Sequence, residues 1–150
     1  MNHDLPYADS YLREILTAVR TIAVVGASPR PQRPSHGVMR YLQRHGYRTI
    51  PVNPFACAPP AAGNILGERC YARLADILEA IDMVDIFRRS EFAGTAVDEA
   101  IAAGAKVVWM QLGVRDDRAA ARAEAAGIRV VMNRCPAIEL PRLGLGGPEV

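Results

Sequence analysis

Residues 26–35 read Gly-Ala-Ser-Pro-Arg-Pro-Gln-Arg-Pro-Ser and follow the apolar run Thr21-Ile22-Ala23-Val24-Val25. A glycine turn after a buried strand, leading into a helix, can cradle a phosphate. Backbone N–H groups at the helix start bind the anion, aided by the helix dipole. Here Ser28 and Ser35 add hydroxyl donors, and Arg30 and Arg33 add positive charge. The segment is not GxGxxG, because Gly26 is the only glycine before Gly37, and no GK[ST] of a Walker A loop occurs. Pro29, Pro31 and Pro34 stiffen it instead. The same residues also suit a plain strand-to-helix turn, with Gly26 for geometry and Ser35 as helix cap.

A second position discriminates among nucleotides. Dinucleotide sites for NAD carry an acid at the end of strand two, bonding the ribose. Asn53-Pro54 stands there, which argues against NAD and favours a ribose that is already phosphorylated, since a carboxylate would repel it. Asn53 equally suits a residue that merely ends the strand. A third position is Cys135, the one candidate for reactivity, with the cation Arg134 beside it. It also reads as a small buried hydrophobe before Pro136. His3, His36 and His45 read as terminal, helix-start and helix-end residues, with no catalytic pairing. Cys57 and Cys70 receive no role. Trp109 reads as core on a strand rather than as a stacking platform.

These positions become a site only if secondary structure gathers them. Leu12, Ile15, Leu16 and Val19 keep helical spacing, as do Val38, Met39, Tyr41 and Leu42. Apolar strands fall at 21–25, 48–52, 83–87, 106–111 and 128–132, with Pro51 sitting awkwardly inside the second. A short helix is expected at 74–81, and longer ones at 91–103 and 116–126. Residues 54–70 form a long connection broken by Pro and Gly, either functional or poorly ordered. Five alternations of strand and helix predict a single α/β domain over 1–150. Its fold is Rossmann-like and three-layered, with five parallel strands in the order 3-2-1-4-5 and helices on both faces. Residues 1–9 and 144–150 are expected as loose tails. Ligands of such sheets sit at the carboxyl ends of the strands. That rule nominates Gly26-Ala27-Ser28, Val52-Asn53-Pro54, Phe87-Arg88-Arg89, Gln111-Leu112-Gly113 and Asn133-Arg134-Cys135.

Composition narrows the function. The chain has 150 residues, 18 basic against 16 acidic, and a net charge of +2, which argues against a dedicated nucleic-acid binder. Seventeen of the 18 bases are Arg, a skew that GC-rich codons explain, so no single Arg is a clue by itself. Three scattered Cys make no disulfide framework and no CxxC metal pair. No apolar stretch is long enough to span a membrane, and the start lacks a signal-peptide core. The expected location is the cytoplasm, and no metal is expected.

Taken in order, AVVGAS, RPS, PVNP, ILGE, VDIFRRSE, WMQLGV and VMNRCPAIELPRLGL resemble the small stand-alone CoA-binding-domain proteins of bacteria. They also resemble the N-terminal domain of the succinyl-CoA synthetase α subunit. The resemblance runs from about Ile15 to Leu145. It departs at the loop 55–63 and at Asn133, where similar sequences often have Asp. It implies coenzyme A as ligand. Gly26, Ala27, Ser28 and Ser35 would then hold the diphosphate, with Arg33 paired to a phosphate. Val52, Asn53 and Pro54 would border the adenosine. Phe87 and Arg88 would flank the chain, and Gln111, Leu112 and Gly113 would line the pantetheine path.

The expected function is a coenzyme A or acyl-CoA binding protein with no catalysis of its own, since 150 residues hold this fold and little else. One alternative is a binder of NAD(P)-type dinucleotides, as redox sensor or small oxidoreductase. Another is thiol or disulfide chemistry on CoA at Cys135. No nucleic acid or membrane partner is expected, and a homodimer is left open.

Overall fold

A computed structural model describes residues 1–58 and 63–149. Five parallel strands make the main sheet: β1 (Thr21–Val25), β2 (Arg48–Val52), β5 (Met83–Ile86), β6 (Val107–Met110) and β7 (Arg129–Val131). A two-stranded antiparallel hairpin, β3 (Asn64–Ile65) with β4 (Glu68–Arg69), lies in the connection after β2. The helices are α1 (Asp9–Ala18), α2 (Pro34–Arg44), α3 (Ser90–Ala102), α4 (Asp117–Ala125) and α5 (Pro136–Arg142).

Side chains alternate along each strand, so the sheet feeds two separate cores. Ala23, Val25, Ile50, Val84, Ile86, Val108, Met110 and Val130 pack with the alanine-rich faces of α3 and α4. Ile22, Val24, Met83, Val107, Trp109 and Val131 pack with Leu12, Ile15 and Leu16 of α1, Met39 and Leu42 of α2, and Leu140 of α5. The result is the expected Rossmann-like α/β architecture with helices on both faces.

The order of the strands differs from the expected 3-2-1-4-5. It is β2-β1-β5-β6-β7, or 2-1-3-4-5 counting only the five long strands. Pro51 gives the physical reason. A proline has no N–H for a second neighbour, so its strand belongs at an edge. Among the described residues the open side of β2 carries an isolated bridge to Tyr71, whose N–H donates to the Pro51 carbonyl at 3.0 Å. Moving β2 to the edge puts the switch point between β1 and β5, at the facing ends Gly26 and Phe87.

Other expectations also needed correction. The helix expected at 74–81 is only a 3₁₀ turn, Leu74–Asp76, and Leu78 is fully exposed. The helix α5 was not foreseen, because Pro141 lies inside it. The expected tails are docked. His3 contacts Tyr7 and Glu124 at 2.7 and 2.6 Å, the Met132 N–H donates to Tyr7 Oη, and the Glu149 N–H donates to the Thr17 carbonyl. Val150 lies outside the described residues.

The connection 54–70 is largely organised, although residues 59–62 lie outside the described residues. Leu66 and Gly67 both take positive φ, 50° and 79°, which is how a two-residue hairpin turn reverses the chain. That reversal brings Cys70 back to Cys57, and the two form a disulfide with Cα atoms 5.3 Å apart. The scattered spacing suggests no disulfide framework and no role for Cys57 and Cys70, because their pairing depends on the hairpin, which spacing alone does not reveal. A bridge spanning 13 residues contributes about 3 kcal/mol by restricting the unfolded chain. Reduction, or Cys57→Ser, is therefore expected to lower the melting temperature by roughly 6–12 °C for a chain of this size. Scanning calorimetry with and without reductant checks this, and superimposable traces would refute it.

Candidate functional site

The carboxyl ends of the sheet strands open into a cleft of about 1070 Å³ between the start of α2 and the start of α5. Its floor is the switch point itself. Gly26 takes φ +88°, and a Cβ there would stand 2.3 Å from the Phe87 carbonyl oxygen, so only glycine lets β1 and β5 approach this closely. The Gly26 N–H donates to the Val52 carbonyl (2.8 Å) and the Phe87 N–H to the Val25 carbonyl (2.8 Å), fixing both rims.

The loop after Gly26 is organised by its own serines. Ser35 Oγ accepts the Ser28 N–H at 3.1 Å, and Ser28 Oγ accepts the Arg30 N–H at 3.1 Å. Ser35 is not the helix cap. Arg33 holds that position, without a side-chain cap bond, and Pro34 opens the helix. Ser28, Arg30, Arg33 and Ser35 all line the cleft. Arg30 and Arg33 are exposed and form no ion pair among the described residues. Two cations are thus held beside a helix N-terminus with no internal partner for their charge.

Asn53 lines the cleft too, but its polar atoms are committed. Its Oδ1 accepts the Phe55 and Ala56 N–H groups at 2.8 and 3.0 Å, and its Nδ2 donates to the Ala27 carbonyl at 2.9 Å. It is the hub of a turn that ties the loops after β1 and β2. That turn carries Phe55 and Ala56 into the cleft lining, and Phe55 is 80% exposed.

The opposite wall is apolar. Leu112, Val114, Ala137 and Cys135 line it together with Gln111. Gln111 is 6% exposed, and its Oε1 has no hydrogen-bond partner among the described residues. After β7 the chain turns back over the end of β6, where the Arg134 N–H donates to the Met110 carbonyl (3.3 Å) and Trp109 Nε1 donates to the Arg134 carbonyl (2.9 Å). This brings Cys135 beside the strand end that carries Gln111. Arg134 itself is turned elsewhere, paired with Glu139 at 3.6 Å and lying over the Tyr7 ring. Trp109 is fully buried, as its strand position predicts.

Of the residues expected at the site, Gly26, Ser28, Arg33, Ser35, Asn53, Phe87, Gln111 and Leu112 line this cleft. Arg88 lines a smaller recess that shares Gly26, Asn53, Phe55 and Phe87 with it, and its guanidinium lies over Phe92. Ala27 and Val52 are buried in the cores beneath. Pro54 and Gly113 stand outside the lining, and Gly113 instead donates its N–H to Asn133 Oδ1 at 2.7 Å. Missing from the expected set were Val38 and Tyr41 on α2, Phe55 and Ala56 on the turn, and Val114 and Ala137. The α2 pair was legible as the helix's intermediate face, but Ala137 depends on the unforeseen α5. No cluster of metal-ligating side chains occurs among the described residues. No helix described is long and apolar enough to cross a membrane.

The fold is that of a Rossmann-like domain, with an open cleft at the sheet's switch point. Residues 20–141 match the family model described as a CoA binding domain, and the chain belongs to that family. It is 37% identical over 124 residues to the uncharacterised protein YneT of Bacillus subtilis, covering 83% of this chain and 87% of YneT. A hypothetical protein of Pyrococcus horikoshii OT3 with a solved structure is 42% identical, with a TM-score of 0.84 over 91% of this chain and 92% of that one. An acetyl-coenzyme A synthetase of Ca. Korarchaeum cryptofilum shares the fold at 24% identity and a TM-score of 0.65. The match spans 83% of this chain but only 27% of the synthetase.

Proposed function

We propose that the protein binds coenzyme A, or an acyl-CoA, in this cleft. The observation that carries the reading is the pairing of two unlike walls in one cavity. One wall offers Ser28, Arg30, Arg33 and Ser35 at a helix start, chemistry suited to a diphosphate. The other offers Leu112, Val114 and Ala137 beside Gln111, an apolar surface suited to the ligand's arm. Gly37 adds room, because a Cβ there would meet nothing within 4 Å. The family membership agrees with this ligand. The NAD reading is disfavoured by Asn53, whose side chain is consumed by its own turn and offers no ribose acceptor.

In this reading the chain's residues bind and orient. Arg30 and Arg33 neutralise phosphate charge, Ser28 and Ser35 hold the loop in register, and Leu112, Val114 and Ala137 border the arm along the end of β6. Calorimetric titration with coenzyme A is the test, with dephospho-CoA and NAD as comparisons. Saturable binding of coenzyme A, weaker for dephospho-CoA and absent for NAD, is the expected result. Tight NAD binding without coenzyme A binding would overturn the reading. Arg30→Ala and Arg33→Ala should each weaken binding by about 1–2 kcal/mol, roughly 5- to 30-fold. Affinity should also fall as salt screens these exposed charges. A salt-independent affinity would remove the two arginines from the site.

A further inference from the structure

We propose that the Cys57–Cys70 disulfide is a redox switch on the cleft, and that its reduction weakens ligand binding while the fold persists. The inference rests on the coenzyme A reading and adds regulation to that site. Cys57 stands two residues after Phe55 and one after Ala56, and both of these line the cleft. Phe55 also borders the smaller recess beside Arg88, so one turn bounds two concavities. That turn is tied down twice. At its start Asn53 Oδ1 accepts the Phe55 and Ala56 N–H groups, and the Asn53 carbonyl accepts the Cys57 N–H at 3.0 Å. At its end the tie is covalent, from Cys57 to Cys70. Cys70 is itself anchored, its N–H donating to the Gly63 carbonyl at 2.9 Å. The next residue, Tyr71, donates to the Pro51 carbonyl and accepts the Asn53 N–H, at 3.0 and 2.9 Å. The bridge therefore fastens one wall of the cleft to the edge of the main sheet.

Cys57 and Cys70 are 1% and 6% exposed. Two thiols need more room than a bonded pair, so reduction overpacks this buried site and pushes the turn away from the sheet. The exposed Phe55 ring adds little packing to hold it back. Affinity then falls with the fraction of molecules that keep the wall in place. The reductant is a dithiol, which reacts during local opening of the turn. One of its thiolates attacks a bridge sulfur and forms a mixed disulfide. The displaced cysteine leaves with the electron pair of the S–S bond and takes up a proton. The second thiolate then displaces the other cysteine, which is protonated in turn, and the dithiol departs as its own disulfide. The two cysteines gain two electrons and the dithiol loses two. A small-molecule disulfide runs the exchange in reverse.

The test titrates desulfo-coenzyme A, which has no thiol to exchange with the bridge, into the protein oxidised and then reduced with dithiothreitol under inert gas. Peptide mapping confirms the state of the bridge. Reduction should weaken binding roughly three- to tenfold, the loss expected if the wall stays formed in about a tenth to a third of molecules. Hydrogen exchange at the Phe55, Ala56 and Cys57 amides should quicken, with the β1 and β5 amides still protected. Cys57→Ser and Cys70→Ser should each match the reduced protein and ignore dithiothreitol. Phe55→Ala should weaken binding to the oxidised protein and shrink the effect of reduction, as expected for coupled sites. Equal affinity in the two states would overturn the proposal and leave the coenzyme A reading standing. So would loss of the far-ultraviolet circular dichroism on reduction, which would make the bridge a staple of the whole fold. Binding in neither state sinks both readings.

Discussion

Gly26→Ala is expected to destabilise the fold by about 3 kcal/mol or more and to abolish ligand binding. Two costs combine. An L side chain at φ +88° pays roughly 1–2 kcal/mol for the left-handed backbone. The added Cβ would also stand 2.3 Å from the Phe87 carbonyl oxygen and 3.3 Å from Arg88 Cδ. The arginine can swing away, but the carbonyl cannot. Phe87 is fixed by its N–H on the Val25 carbonyl, and β1 and β5 are in register from Ile22 with Met83 to Val25 with Ile86. Relief must come from parting the strands at the switch point, which is the floor of the cleft. A loss of about 3 kcal/mol lowers the melting temperature by roughly 6–12 °C. Gly37 is the internal control. It lies inside α2 and lines the same cleft, yet a methyl there meets nothing. Gly37→Ala should therefore stabilise the helix by about 0.5–1 kcal/mol. Thermal denaturation of the two variants should show opposite signs. Equal melting temperatures for Gly26→Ala and the parent would refute the close-approach argument.

The contrast between these glycines also shows what a sequence can carry. The apolar runs and helical stripes specified the five strands and four of the helices, because burial on both faces leaves an unmistakable pattern. The strand order was harder, although Pro51 held the decisive clue. A residue without an N–H sits easily at an edge, and giving that fact full weight would have moved β2 outward. The end of β1 and the end of β6 were legible as cleft because they follow strands directly. The walls were not, since they depend on elements with weak local signals. The helix α5 contains Pro141, which argues against a helix locally, and packing of Leu140 and Leu143 into the core holds it together with the Arg142–Asp9 pair. Phe55 enters the cleft because Asn53 closes a turn, and Cys57 meets Cys70 because Leu66 and Gly67 reverse the chain. Neither contact is encoded by periodicity. The side chain of Val52 packs in the core because alternation along its strand, not proximity to a motif, decides which way it faces, and Ala27 in the loop after β1 is buried in the other core.

A larger effect is expected from a residue outside the cleft. Asp85 lies in the middle of β5, paired in register with Val24 on β1 and Trp109 on β6. It is 0% exposed, and neither carboxylate oxygen has a partner among the described residues. Burial without compensation raises its pKa well above the ordinary 3.8. The sign of the consequence follows from proton counting. Above the unfolded value, the unfolded chain has released this proton while the folded chain still holds it. Stability is therefore greatest below about pH 4 and is lost as pH rises through the folded-state pKa, by up to about 1.4 kcal/mol per pH unit. Asp85→Asn keeps the shape and removes the titration. The difference between the two stability curves, measured by urea denaturation from pH 4 to pH 8, should widen steadily in favour of the variant. Asp82 and Glu124, whose pKa values are lowered, act with the opposite sign at acid pH and cancel in the difference. Asp85→Val removes the unsatisfied oxygens as well. It should gain on the order of 2 kcal/mol at pH 8, less any strain from fitting a branched side chain between Val24 and Trp109. Parallel curves for parent and Asp85→Asn would show that Asp85 is ionised and partnered in the folded protein. If the slope is present, the sheet that supports the cleft carries a neutral carboxylic acid at its centre, and its stability is set by pH from within the core.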